Sequence, residues 1–122
     1  MYEWVTGNAH TNVVRIYPNN LTLNTSAAIH FNEFRYVTIG IDRDSKKIAI
    51  KPIAKRDIDL KLVPIEHLHR VSIGNGYGRI SNKMVCDEIA SLLETQLDGQ
   101  KFLAHFDKKQ QQLIIDLNQP LG

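Results

Sequence analysis

The sequence predicts an α+β domain rich in strand, a single domain over residues 1–122 built from two tandem β-α-β-hairpin units, with a longer helix in the second unit. Three observations predict it. Arg35 to Pro52 (RYVTIGIDRDSKKIAIKP) alternates apolar and polar residues on either side of a polar turn. A period of two puts one set of side chains on a buried face, which is a hairpin signature. Lys101 to Leu117 (KFLAHFDKKQQQLIIDL) repeats that pattern at an offset of 65 when Asp42 is aligned with Asp107. Between the hairpins, Val85, Ile89, Leu92, Leu93 and Leu97 recur at helical spacing, predicting a strong helix over about 82–97.

Taken in order, residues 1–12 read as an arm, with Tyr2, Trp4 and Val5 as apolar anchors. Val13 to Tyr17 is β-branched and aromatic, so it predicts a strand, and Pro18-Asn19-Asn20 ends it. Leu21-Thr22-Leu23 predicts a second short strand. Asn24 or Thr25 then caps a short helix over about 26–32, because a side-chain oxygen accepts the free N–H groups of a first turn. In the first hairpin, Val37, Ile39 and Ile41 take one face, and Pro52 is read as ending the second strand. Ile58, Leu60 and Leu62 alternate with polar neighbours and predict a further strand, which Pro64 stops. Leu68 to Ile73 predicts another, and the glycines of Gly74-Asn75-Gly76-Tyr77-Gly78 predict a turn. Asp98-Gly99 reads as the stop of the long helix, and Asn118 to Gly122 as a tail.

The units, about 13–52 and 78–117, each read as strand, turn, helix, hairpin. Thr22-Leu23-Asn24 aligns with Arg79-Ile80-Ser81 at an offset of 57, and the larger offset in the hairpins reflects the longer second helix.

Composition bounds the function. With 122 residues, 43% of them hydrophobic, the chain can bury a core without staples. A net charge of +2 announces neither nucleic acid nor membrane by itself. The single cysteine, Cys86, excludes an internal disulfide and a cysteine-rich zinc site, and it reads as a small core residue. The start lacks a basic segment followed by an apolar run, and no stretch has the length of a membrane span. A cytoplasmic protein without a membrane partner is the expectation.

Gly78-Arg79-Ile80-Ser81 resembles the opening strand of the AbrB/MazE family of swapped-hairpin DNA-binding domains. Leu21-Thr22-Leu23-Asn24 is similar to the same strand in the first half, and Ile48-Ala49-Ile50-Lys51-Pro52 to the family's closing strand. The proline that follows the opening strand in that family is absent from both halves. The resemblance implies a barrel-like sheet formed by two paired units and DNA contacts from basic residues near the opening strand. The chain is also similar to small proteins of Gram-positive bacteria and their phages.

The candidate DNA-binding residues are Arg15, Arg35, Lys51, Arg79 and Lys83. A phosphate contact needs only an exposed cation, whereas base reading favours the planar fork of arginine. Scattered Lys and Arg are also ordinary on any solvated surface. A second basic stretch, Lys46, Lys47, Lys55, Arg56 and Lys61, is interrupted by Asp44, Asp57 and Asp59. The acids of the long helix (Asp87, Glu88, Glu94 and Asp98) would repel phosphate. His67 and His69 on a strand would share a face, as a metal site needs, but have no placed third ligand, so polar surface histidines are the better reading. Ser72, Ser81 and Cys86 sit in no nucleophile motif, and the glycine turn lacks the Lys-Ser/Thr ending of a phosphate loop. No catalytic group, cofactor or metal is expected. A transcriptional regulator on duplex DNA is the first reading and a protein-interaction module the second, as monomer or homodimer.

Overall fold

The computed structural model describes residues 1–2 and 11–121. Its strands are β1 (Asn12–Ile16), β2 (Asn20–Asn24), β3 (Tyr36–Asp42), β4 (Lys47–Ile53), β5 (His69–Gly74), β6 (Tyr77–Ser81), β7 (Gln100–Asp107) and β8 (Gln112–Leu121). Around the molecule they run β1-β2-β6-β5-β3-β4-β8-β7, every neighbouring pair antiparallel, and β1 pairs with β7 to close the ring.

This closed eight-stranded barrel corrects the α+β expectation. Strand accounts for 47% of the structure and helix for 23%, so the fold is mostly β rather than a pair of α+β hairpin units. The helices are α1 (Thr25–Ala28), α2 (Lys55–Asp59) and α3 (Lys83–Leu93), with 3-10 turns at Ile29–Phe31 and Ile65–His67. No sheet belongs to one half of the chain. β2 pairs with β6, and β4 with β8, so each half supplies strands that the other completes.

The connectivity has a two-fold character. Exchanging β1–β4 with β5–β8 leaves the circular order unchanged. Thr22 pairs with Arg79, and on the opposite wall Ala49 pairs with Ile114. Those partners stand 57 and 65 residues apart, the offsets of the two sequence alignments, so a pseudo-dyad passes through both pairs. The two long hairpins turn alike. Lys46 and Gln111 are both left-handed, at φ 53°, and Asp42 and Asp107 each accept backbone N–H groups within their turns.

Alternation along the strands sends Val14, Ile16, Leu21, Leu23, Val37, Ile48, Ile50, Val71, Ile80, Phe102, Leu113 and Ile115 inward. An eight-stranded barrel is just wide enough for such side chains to fill it. Burial of each large aliphatic stabilises by about 1.5–3 kcal/mol relative to exposure. Ala27, Ala28 and Phe31 from the α1 region, and Cys86, Ile89 and Leu97 from α3 and its exit, join the same core. Among the described residues no polar or charged residue is buried. Burial pushes the Cys86 thiol up to about 11, as expected for an inert core cysteine.

Several element-level expectations change. Ile58, Leu60 and Leu62 form no strand: α2 ends at Asp59, and Leu60 and Leu62 are exposed. Ile58 belongs to the turn of α2, and Lys61 is left-handed at φ 57°, which breaks an extended run between Leu60 and Leu62. Pro52 does not end β4, which continues to Ile53. Its nitrogen points to the β8 side, where the β4–β8 ladder has already stopped at Ile50, so no ladder bond is lost. Residues 118–121 belong to β8 rather than a tail. The first helix breaks into α1 and a 3-10 turn, and the long helix ends at Glu94, left-handed at φ 52°, before Asp98-Gly99. Only Gly76 of the glycine turn takes positive φ. Tyr2 is exposed and anchors nothing, while Trp4 and Val5 lie outside the described residues. No helix among the described residues is long and apolar enough to cross a membrane.

Gly99 fastens the closing seam. Its N–H donates to Ile16 O at 2.9 Å, its φ is +93°, and a Cβ there would lie 2.7 Å from the Tyr17 ring. Gly99→Ala should therefore destabilise the protein by about 1–3 kcal/mol. Urea unfolding of the variant against the parent measures it, and equal midpoints would show that the seam does not need the glycine.

Candidate nucleic-acid interface

Register decides which outward side chains become neighbours. Arg15 of β1 stands opposite Thr22 of β2, and Thr22 opposite Arg79 of β6. On the other side of Arg15 stands Lys101 of β7, and beyond Arg79 stands Ser72 of β5. Lys101, Arg15, Thr22, Arg79 and Ser72 thus form one row across five strands. Arg70 lies two residues before Ser72 on the same face of β5 and opposite Tyr36 of β3. Lys101, Arg15, Arg79 and Arg70 are all exposed.

The electrostatics of this face are one-sided. β1, β2, β5 and β6 contain no Asp or Glu, and the only acid of β7 is Asp107, at its far end. The ion pairs among the described residues are Arg43–Glu88 and Lys83–Asp87. None of the four cations therefore has a carboxylate partner there. Lys101 and Arg15 face each other directly, and a like-charge cross-strand pair destabilises a sheet by a few tenths of a kcal/mol or more. Among the described residues nothing compensates that conflict, which is the kind of local inconsistency found at functional or strained sites.

The structure brings Arg15 and Arg79 together and separates the other three predicted residues from them. Lys51 stands on β4, on the far wall, opposite Thr38 and near the mixed pair Lys47–Asp116. Lys83 lies on the first turn of α3 and donates to Asp87 at 2.9 Å, so its charge is already engaged. Arg35 borders a cleft of about 420 Å³ that also holds Lys55, Glu33 and Asp59, which balances its charge. Lys101 and Arg70 were missed from sequence. Lys101 could be placed beside Arg15 only by knowing that the first strand closes on the seventh.

His67 and His69 do not share a strand face. His67 lies in the 3-10 turn, and among the described residues no group of three His, Cys, Asp or Glu side chains comes together. His10 is outside the described residues. His69 has a structural partner instead. Asn82 is the N-cap of α3, and its Oδ1 accepts from Val85 N at 3.0 Å. That orientation leaves Asn82 Nδ2 to donate to His69 Nδ1, at 2.7 Å. His69 is therefore neutral at Nδ1, and protonation there would set two donors against each other. Burial, and secondarily the charge of His67, hold its pKa below the ordinary 6.5. His30, stacked on Phe106 at a centroid distance of 4.0 Å, is lowered likewise by burial and by Lys108.

Because these histidines bind a proton less readily folded than unfolded, their contribution to stability is full above the ordinary histidine range and is lost as pH falls through it. Thermal denaturation at mildly alkaline and mildly acidic pH should show that loss. In Asn82→Asp, whose carboxylate accepts from a protonated His69 and still caps α3, the loss should shrink; an unchanged difference between the two pH values would remove His69 as a cause. Comparison of the chain with family models, with curated proteins and with solved structures gave no match.

Proposed function

We propose that this barrel binds duplex DNA through the ridge formed by β1, β2 and β6, with Arg15 and Arg79 as the central contacts. The observation that carries the reading is the cation row, in which Lys101 and Arg15 oppose each other without an acid and Arg79 follows two strands away. Neighbouring strands lie about 4.8 Å apart, which sets Arg15 and Arg79 roughly 10 Å apart across Thr22. That span suits a ridge entering a groove about 12 Å wide, where arginine reads guanine and threonine tolerates either base pair. Lys101 and Arg70, turned away by the curvature of the barrel, suit the flanking phosphates. The resemblance of the Gly78–Ser81 strand to the AbrB/MazE opening strand supports the same face, since Arg79 belongs to it. A sequence pI near 8.7 adds weak long-range attraction.

Binding is measured by fluorescence anisotropy on a mixed-sequence duplex across a salt series. Four engaged cations give a slope of log affinity against log salt of about −3.6, and Arg15→Ala with Arg79→Ala should make it shallower by about 1.8 and cost tenfold or more in affinity. Lys51→Ala and Lys83→Ala should leave binding nearly unchanged. No binding at low salt, or equal losses from both pairs of variants, would sink the reading.

A further inference from the structure

The two seams related by the pseudo-dyad are unequal. β1 and β7 pair over five positions, Asn12↔Ala104 to Ile16↔Gln100. β3 and β5 pair over two, Tyr36↔Arg70 and Val37↔His69. Val71 N donates to Arg35 O at 2.9 Å, so the odd-numbered residues of β3 turn their backbone groups toward β5. Continuing that alternation, Ile39 and Ile41 aim N–H and C=O at a side where no strand of the described residues pairs with them. In the same register Ile65 to Leu68 would have covered them, but Pro64 starts a 3-10 turn over Ile65–His67 and lifts that segment away.

What remains is a groove of about 380 Å³ between the β3 edge and α3, walled by Ile39, Ile41, Ile65, Leu68, Met84 and Val85. Ile65 and Met84 are 83% and 79% exposed, far beyond what a helix or turn facing water needs. The charged residues of the lining are Glu66 and Glu88, the latter shared with Arg43, and no Lys or Arg lines it.

We infer that this edge accepts an extended segment of a partner protein, added as a strand beside β3. Unsatisfied backbone groups at alternate residues specify a β-strand rather than a helix or a small molecule. The apolar walls call for apolar side chains at alternate positions of that strand, and the carboxylates for basic residues between them. The site shares no residue with the DNA-binding ridge, so either can fail alone.

The test uses the full chain and a capped synthetic octapeptide alternating valine and lysine, with amide hydrogen exchange of Ile39 and Ile41 followed by NMR. Both amides should exchange quickly in the free protein, and saturating peptide should slow them by about tenfold or more. Ile65→Glu with Met84→Glu, both at exposed positions, should abolish the slowing while the melting temperature holds. The proposal is overturned by unchanged exchange at millimolar peptide. Equal protection from a valine–glutamate peptide, or from one N-methylated along its pairing edge, also overturns it. Protection that rises with protein concentration in the absence of peptide would assign the edge to a second copy of this chain and overturn it too.

Discussion

Closure of β1 onto β7 is the constraint on which the rest of the structure depends. Without it the barrel would be an open sheet with two edges, and the inward rows of Val14, Ile16 and Phe102 would face water. The join links segments far apart in sequence, so its loop-closure entropy has to be met by burial on both sides of it. The seam provides that burial through Val14 against Phe102, and it adds the Gly99 N–H bond to Ile16 O where the chain turns beside Tyr17. The apolar interior follows. Once the ring is closed, most backbone groups of the wall belong to ladders, the short β3–β5 seam excepted, and the inward side chains need only fill space.

That interior is also why the helices are minor. α1 and α3 act as lids whose small faces, Ala27 and Ala28 in one and Cys86 and Ile89 in the other, settle on the barrel core. Gly78 shows how close the fit is. A Cβ there would come within 3.3 Å of Ala28 Cβ, so the wall has no side chain where α1 rests on it.

Strands with a buried alternate face were legible in the sequence because period two is local. The hairpins, β1, β2 and β5 could all be read that way, and the cap at Asn24 could be read from its residue type. Fold class was not, because closure is decided by pairings between distant strands, and no local pattern announces that β2 pairs with β6. The connector misled for a related reason. Ile58, Leu60 and Leu62 have strand-like alternation, but alternation becomes a strand only when another edge pairs with it, and here α2 and the left-handed Lys61 leave Leu60 and Leu62 exposed and unpaired. The candidate site was half legible. Arg15 and Arg79 could be chosen as exposed arginines on strands, whereas Lys101 became relevant only through register. Lys83 looked available until its helical neighbour four residues on, Asp87, engaged it.

The pseudo-dyad through Thr22 and Arg79 has a consequence for recognition. The backbone on its two sides is equivalent, but the side chains are not: Arg15 is matched by Ser72, and Arg79 by Thr22 itself. A partner lying across the ridge would meet different chemistry if it were rotated by half a turn. A scaffold that is nearly blind to orientation thus carries a directional surface, and its polarity is written in four side chains.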